Sequence, residues 1–201
     1  MQKRQFMRLG ATLLAAPAAL PALAADKKAG GSGPVLLTVT GDIGNSNRGA
    51  LDPALDQMMA KQKLSFDKAY TFDFAALSAL PSVEIHPTLE YDRRRHSLRG
   101  PLLSEVLRVS GAPAALQNCA LRAVDGYAVL VSAADIAKYR FIVATHLDGK
   151  PIPLGGLGPL WAVYDADSFP EMAARPLPER FGQCPWGLYH IAVRKALCKP
   201  Q

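Results

Sequence analysis

Apolar residues along this chain fall in short runs separated by glycine, proline and polar turns. Residues 35–40 are β-branched and apolar and predict a first strand. A polar loop follows over 41–49. Residues 51–63 place Leu55, Met58 and Met59 at helical spacing, which predicts a short helix with those three on one face. Residues 69–74 alternate and predict a strand running into a helix, capped by Asp73 and ended by Pro81. Residues 83–88 read as the next strand and 90–96 as a charged loop. Residues 97–99 return to the fold, and Gly100-Pro101 predicts a helix start with Pro in the first turn. Leu102, Leu103, Val106 and Leu107 would be its buried face and Gly111 its stop.

In the second half, residues 120–123 and 127–131 flank Asp125-Gly126 as a hairpin, because glycine accepts positive φ and aspartate bonds its own backbone. Residues 133–139 predict a helix capped by Ser132. Residues 141–146 and 160–164 predict apolar strands, 165–183 are Pro-rich and irregular, and 186–194 alternate as a final strand. Strands outnumber helices and do not alternate strictly with them. The expectation is an α+β fold with mixed or antiparallel sheets and short helices. A chain of 201 residues suits one domain, here residues 35–194, followed by a tail over 195–201.

The N-terminus reads as an export signal. Lys3, Arg4 and Arg8 precede an apolar stretch over 11–20, and small residues over 21–25 suit cleavage after Ala24 or Ala25. The stretch is too short for a membrane anchor and is broken by Pro17 and Pro21. Residues 26–34 would be a flexible lead-in, and the protein would work in the periplasm. Losing the three basic residues lowers the net charge from +6 to +3, so the basic balance says little about nucleic acid. Of the three cysteines, Cys184 and Cys198 are a candidate disulfide in an exported chain. Cys119 reads as a buried, inert thiol at the start of a strand. No Cys-x-x-Cys or His-x-x-x-His spacing supports a structural metal site.

Several enzyme motifs are missing. The sequence has no Gly-x-Ser-x-Gly elbow. Gly155-Gly156-Leu157-Gly158 precedes a strand and lacks the Lys-Ser/Thr of a phosphate loop.

A positive signal comes from four motifs in order. Leu98-Arg99-Gly100-Pro101-Leu102-Leu103, Asp125-Gly126-Tyr127, Asp148-Gly149-Lys150-Pro151-Ile152 and Gly158-Pro159-Leu160-Trp161 together resemble the molybdopterin-binding domain of the sulfite oxidase family. The resemblance spans residues 35–194. The chain is similar to the short, exported members, which share Ala79-Leu80-Pro81 and the closing Trp186-Gly187-Leu188-Tyr189-His190-Ile191-Ala192-Val193. Enzymes of the family ligate molybdenum through a cysteine in the loop that here covers residues 89–96, and this loop has no thiol, the soft ligand such a metal uses.

The resemblance therefore implies a non-catalytic, periplasmic pterin-binding protein. It would report a reduced pterin to a membrane protein that makes or degrades cyclic di-GMP. The alternative is a molybdopterin-dependent oxidoreductase with an atypical metal site, and a third reading is a partner-binding domain with an empty pocket. A pterin needs an aromatic face for stacking and polar groups for its 2-amino-4-oxo edge. Trp161, Tyr127 and Tyr91 are candidates for the face. Asp125, Glu90 and Asp148 are candidates for the edge, and Arg95 and His96 for a polar tail or a partner.

Overall fold

The computed structural model describes residues 33–195. The expected export signal, most of the lead-in, the end of the tail and Cys198 lie outside the described residues. The chain opens with β1 (Val35–Gly41), α1 (Gln57–Lys61), β2 (Tyr70–Asp73) and α2 (Phe74–Ser78). It continues through β3 (Ser82–Ile85), β4 (Leu98–Pro101), α3 (Leu103–Val109), β5 (Leu116–Ala123), β6 (Ala128–Ser132) and α4 (Ala133–Tyr139). It closes with β7 (Ile142–Ala144), β8 (His146–Leu147), β9 (Lys150–Pro151), β10 (Trp161–Val163), α5 (Pro170–Ala173) and β11 (Leu188–Lys195).

These elements make an α+β fold. The main sheet has the order β2-β1-β11-β5-β6, a second pairs β10 with β7, and a third runs β3-β4-β8-β9. β1 and β11 are parallel, and the other strand pairs are antiparallel. Leu37, Val39, Phe72, Leu121, Ile142, Trp161, Tyr164, Leu188 and Ile191 share one hydrophobic core. A smaller cluster joins Met59, Phe66, Ala69 and Tyr189.

Capping chemistry fixes two of the helices where the sequence places them. The Asp73 carboxylate accepts from the Ala76 amide at 2.7 Å. Ser132 Oγ accepts from the Asp135 amide at 3.0 Å and donates to the Asp135 carboxylate at 2.8 Å. Each satisfies an amide that a helix start leaves without a partner.

Four local expectations change. Leu55 and Met58 do not join Met59 in the core, and Leu55 is 83% exposed. Asp52 Oδ1 accepts from the amides of Ala54 and Leu55, so a turn replaces the first part of the expected helix. Gly100 and Pro101 end β4 and do not begin α3. Gly100 is there because a Cβ would lie 2.0 Å from the Val143 carbonyl oxygen, so only glycine lets β4 and β7 approach this closely. The strand expected over 141–146 divides at Thr145. Its first part pairs with β10 and its second with β4. Finally, β11 does not alternate: Leu188 to Ile191 are all buried, because this strand runs through the middle of the main sheet.

Candidate functional site

One cavity of about 270 Å³ gathers residues from three separate places in the chain. Glu90 and Tyr91 come from the loop between β3 and β4. Ala123, Asp125 and Tyr127 come from the β5–β6 turn. Phe181, Gly182, Cys184, Pro185 and Trp186 come from the irregular segment before β11.

Hydrogen bonds hold each wall, and those of the segment before β11 begin in the core. The Trp161 indole donates to the Cys184 carbonyl at 2.9 Å, and the Tyr164 hydroxyl donates to the Arg180 carbonyl at 2.6 Å. Two buried aromatics thus anchor the irregular segment from beneath. The Tyr127 hydroxyl donates to the Gly182 carbonyl at 2.6 Å and joins the hairpin turn to the same segment. In the turn itself, Asp125 Oδ1 accepts from the Tyr127 amide at 2.9 Å, and Gly126 takes φ of 94°. The opposite wall is a closed loop. The Leu89 amide donates to the Arg94 carbonyl, the Arg93 amide to the Leu89 carbonyl and the His96 amide to the Pro87 carbonyl.

Two carboxylates and several aromatic rings make the cavity's chemistry, and none of the described residues lining it is basic. Tyr91, Tyr127 and Trp186, which line it, are 57%, 49% and 37% exposed. Burial of the Tyr91 hydroxyl, with the Glu90 carboxylate beside it, pushes its pKa up to about 12. It is therefore a neutral donor at physiological pH. The Cys184 thiol, only 4% exposed, is pushed up by burial and stays protonated.

Four of the sequence candidates, Glu90, Tyr91, Asp125 and Tyr127, come together in this cavity. Trp161 does not line it: at 1% exposure it is a core residue supporting the wall. Arg95 and His96 lie toward the base of the loop, and Asp148 sits in the β8–β9 turn; none of the three lines the cavity. Arg95 Nε donates to the His86 carbonyl at 3.0 Å. His96 lies between Asp148, 2.7 Å from its Nδ1, and Asp92, 2.8 Å from its Nε2. These two carboxylates raise the His96 pKa above its usual value, and His96 in turn lowers theirs.

The fold has a solved counterpart. The sulfane dehydrogenase SoxCD from Paracoccus pantotrophus matches 78% of this chain with a TM-score of 0.50 and 9% sequence identity. The likeness is one of fold. This chain spans 37% of the length of that one. No protein-family model matches the chain, and no curated protein matches it in sequence.

Trp186 and Phe181 are cavity residues that sequence reasoning did not single out. Trp186 read as the first residue of the last strand. Pro185 before it and Gly187 after it, the latter at φ of 62°, keep it out of β11 and turn it to the cavity. A tryptophan bracketed by proline and glycine was the available signal. Cys184, expected as a disulfide partner of Cys198, is a buried residue of the cavity wall. The pairing itself involves Cys198, outside the described residues. Cys119 is fully buried, and burial pushes its thiol up to about 12.

Proposed function

We propose that this chain is an exported, non-catalytic pterin-binding protein of the sulfite oxidase fold. It acts in the periplasm and signals to a membrane-bound enzyme that makes or degrades cyclic di-GMP. The observation that carries the pterin reading is a small cavity combining Glu90 and Asp125 with the rings of Tyr91, Tyr127 and Trp186, without a basic side chain among the described residues of its lining. A pterin offers N–H donors along one edge, which carboxylates accept in strong, charge-assisted hydrogen bonds. Its flat faces suit aromatic rings. A volume near the lower end of ligand pockets, roughly 300–1,000 Å³, suits a bicyclic ring better than a dinucleotide. The signalling role and the location rest on the sequence resemblance and the export signal. Among the described residues, no helix is long and apolar enough to cross a membrane.

A second reading, a molybdopterin-dependent oxidoreductase, draws support from the fold shared with a sulfane dehydrogenase. The cavity lining fits the pterin ring of that cofactor but not its remaining parts. A phosphate tail calls for a cation, and the described residues of the lining supply none. A molybdenum centre calls for an accessible thiolate, and the one thiol among the described lining residues, Cys184, is only 4% exposed. Among the described residues, no group of three or more His, Cys, Asp or Glu side chains is placed to hold a metal.

Protein purified from periplasm and assayed for pterin fluorescence and molybdenum separates these readings. Pterin without metal is expected; stoichiometric molybdenum would overturn the binding-module reading. Neither group, with no rise in melting temperature on adding pterins, would point to a partner-binding domain with an empty pocket. Glu90→Gln and Asp125→Asn are each expected to weaken neopterin binding by about tenfold, the scale of a lost charge-assisted hydrogen bond.

A further inference from the structure

His96 is bonded at both ring nitrogens to carboxylates: Asp148 Oδ2 at Nδ1 and Asp92 Oδ2 at Nε2. A carboxylate only accepts, and a neutral imidazole carries one N–H, so both contacts exist together only when the ring is an imidazolium. The remaining oxygens of the two carboxylates are already used. Asp148 Oδ1 accepts from the Ser97 amide at 3.0 Å, and Asp92 Oδ1 accepts from the Arg94 amide at 3.0 Å. On deprotonation neither carboxylate can replace the lost donor from this set. The bonds tie different things together. Asp92 belongs to the loop that carries Glu90 and Tyr91, while Asp148 belongs to the β8–β9 turn. That turn is a two-residue Asp148-Gly149 connection with φ of 48° and 77°.

We infer that His96 is a positioning residue that latches the Glu90–Tyr91 wall of the cavity to the β8–β9 turn, and that losing its proton opens the latch. This inference rests on the reading of the cavity as the ligand site. The charged groups that act on the ring are Asp92 on its own loop and Asp148 on the turn, and Arg94 acts on Asp92. Both carboxylates favour the charged ring. The latch is therefore fully formed below His96's ordinary pKa of 6.5 and is lost as pH rises through the higher value set by the fold.

The test has two readouts on the full-length protein, taken from just below the imidazole's ordinary pKa of 6.5 to well above it, since the fold moves its titration upward. Hydrogen-exchange protection factors of the Leu89, Arg93 and His96 amides, without ligand, should fall across this range in the wild type. In His96→Arg, whose charge persists, they should stay level. Neopterin affinity should fall by about tenfold more in the wild type than in His96→Arg, an ordinary coupling between sites. The arginine variant also corrects for the ligand's own titration. Asp148→Asn should weaken binding at low pH and remove most of the difference. Protection factors that do not change with pH, or wild-type and His96→Arg affinities with the same pH dependence, would overturn the latch. Loop loosening with no neopterin binding at any pH would uphold the latch and remove the pterin reading.

Discussion

Trp161 and Trp186 face each other across an isolated antiparallel bridge, yet they do different work. Trp161 is buried, with its indole donor spent on the Cys184 carbonyl. Trp161→Ala would leave a large void and an orphaned carbonyl, and is expected to cost about 3–5 kcal/mol of stability in denaturant unfolding. Trp186 is partly exposed at the cavity. Trp186→Ala should leave the midpoint nearly unchanged and weaken neopterin binding by roughly tenfold to a hundredfold, the range of one lost aromatic stack. Unchanged affinity in a folded Trp186→Ala protein would remove the stacking role. At this scale the sequence identified residues by type but not by orientation. Glu90, Tyr91, Asp125 and Tyr127 stood out because they lie in loops and at a turn. The two tryptophans could not be told apart, because the donor bond that fixes Trp161 joins it to a residue 23 positions away.

Elements set by local chemistry were readable. β1, α2, the β5–β6 hairpin and α4 occur where the periodicity, the caps and the Asp-Gly turns place them. Ser132→Ala should lower stability by about 1 kcal/mol, the usual worth of a helix N-cap, as measured by urea midpoint. Elements set by their neighbours were less readable. Pro101 has the look of a first helical residue, but the β4–β7 approach decides the assignment. Gly100→Ala should therefore destabilise by about 1–3 kcal/mol or more, since the added methyl meets backbone and not a movable side chain. The division of one apolar run between two sheets at Thr145 left no mark on periodicity, because both halves are buried or nearly so.

For the molecule as a whole, two histidines respond to pH in opposite senses. His190 lies buried in β11, 2.9 Å from the Thr40 hydroxyl of β1. Burial first, and Arg122 second, hold its pKa down to about 4 from 6.5. The fold thus favours the neutral ring. Its contribution is complete above pH 6.5 and is lost as pH falls toward 4, by about 3 kcal/mol at 1.36 kcal/mol per unit. Urea midpoints should decline more steeply with acid in the wild type than in His190→Gln; parallel declines would exclude the role. His96 has the reverse sense, but it lies in a half-exposed loop and governs that loop more than the stability of the whole.

The position of β11 between β1 and β5 has a consequence for how the chain is made. The middle strand of the main sheet is the last strand of the described chain, and β1 pairs with it across some 150 residues. Contacts so distant in sequence form late and slowly. A growing chain cannot close this sheet until residue 195 has been synthesised. Until then the edges of β1 and β5 that β11 joins stay unpaired, a state open to wrong pairing.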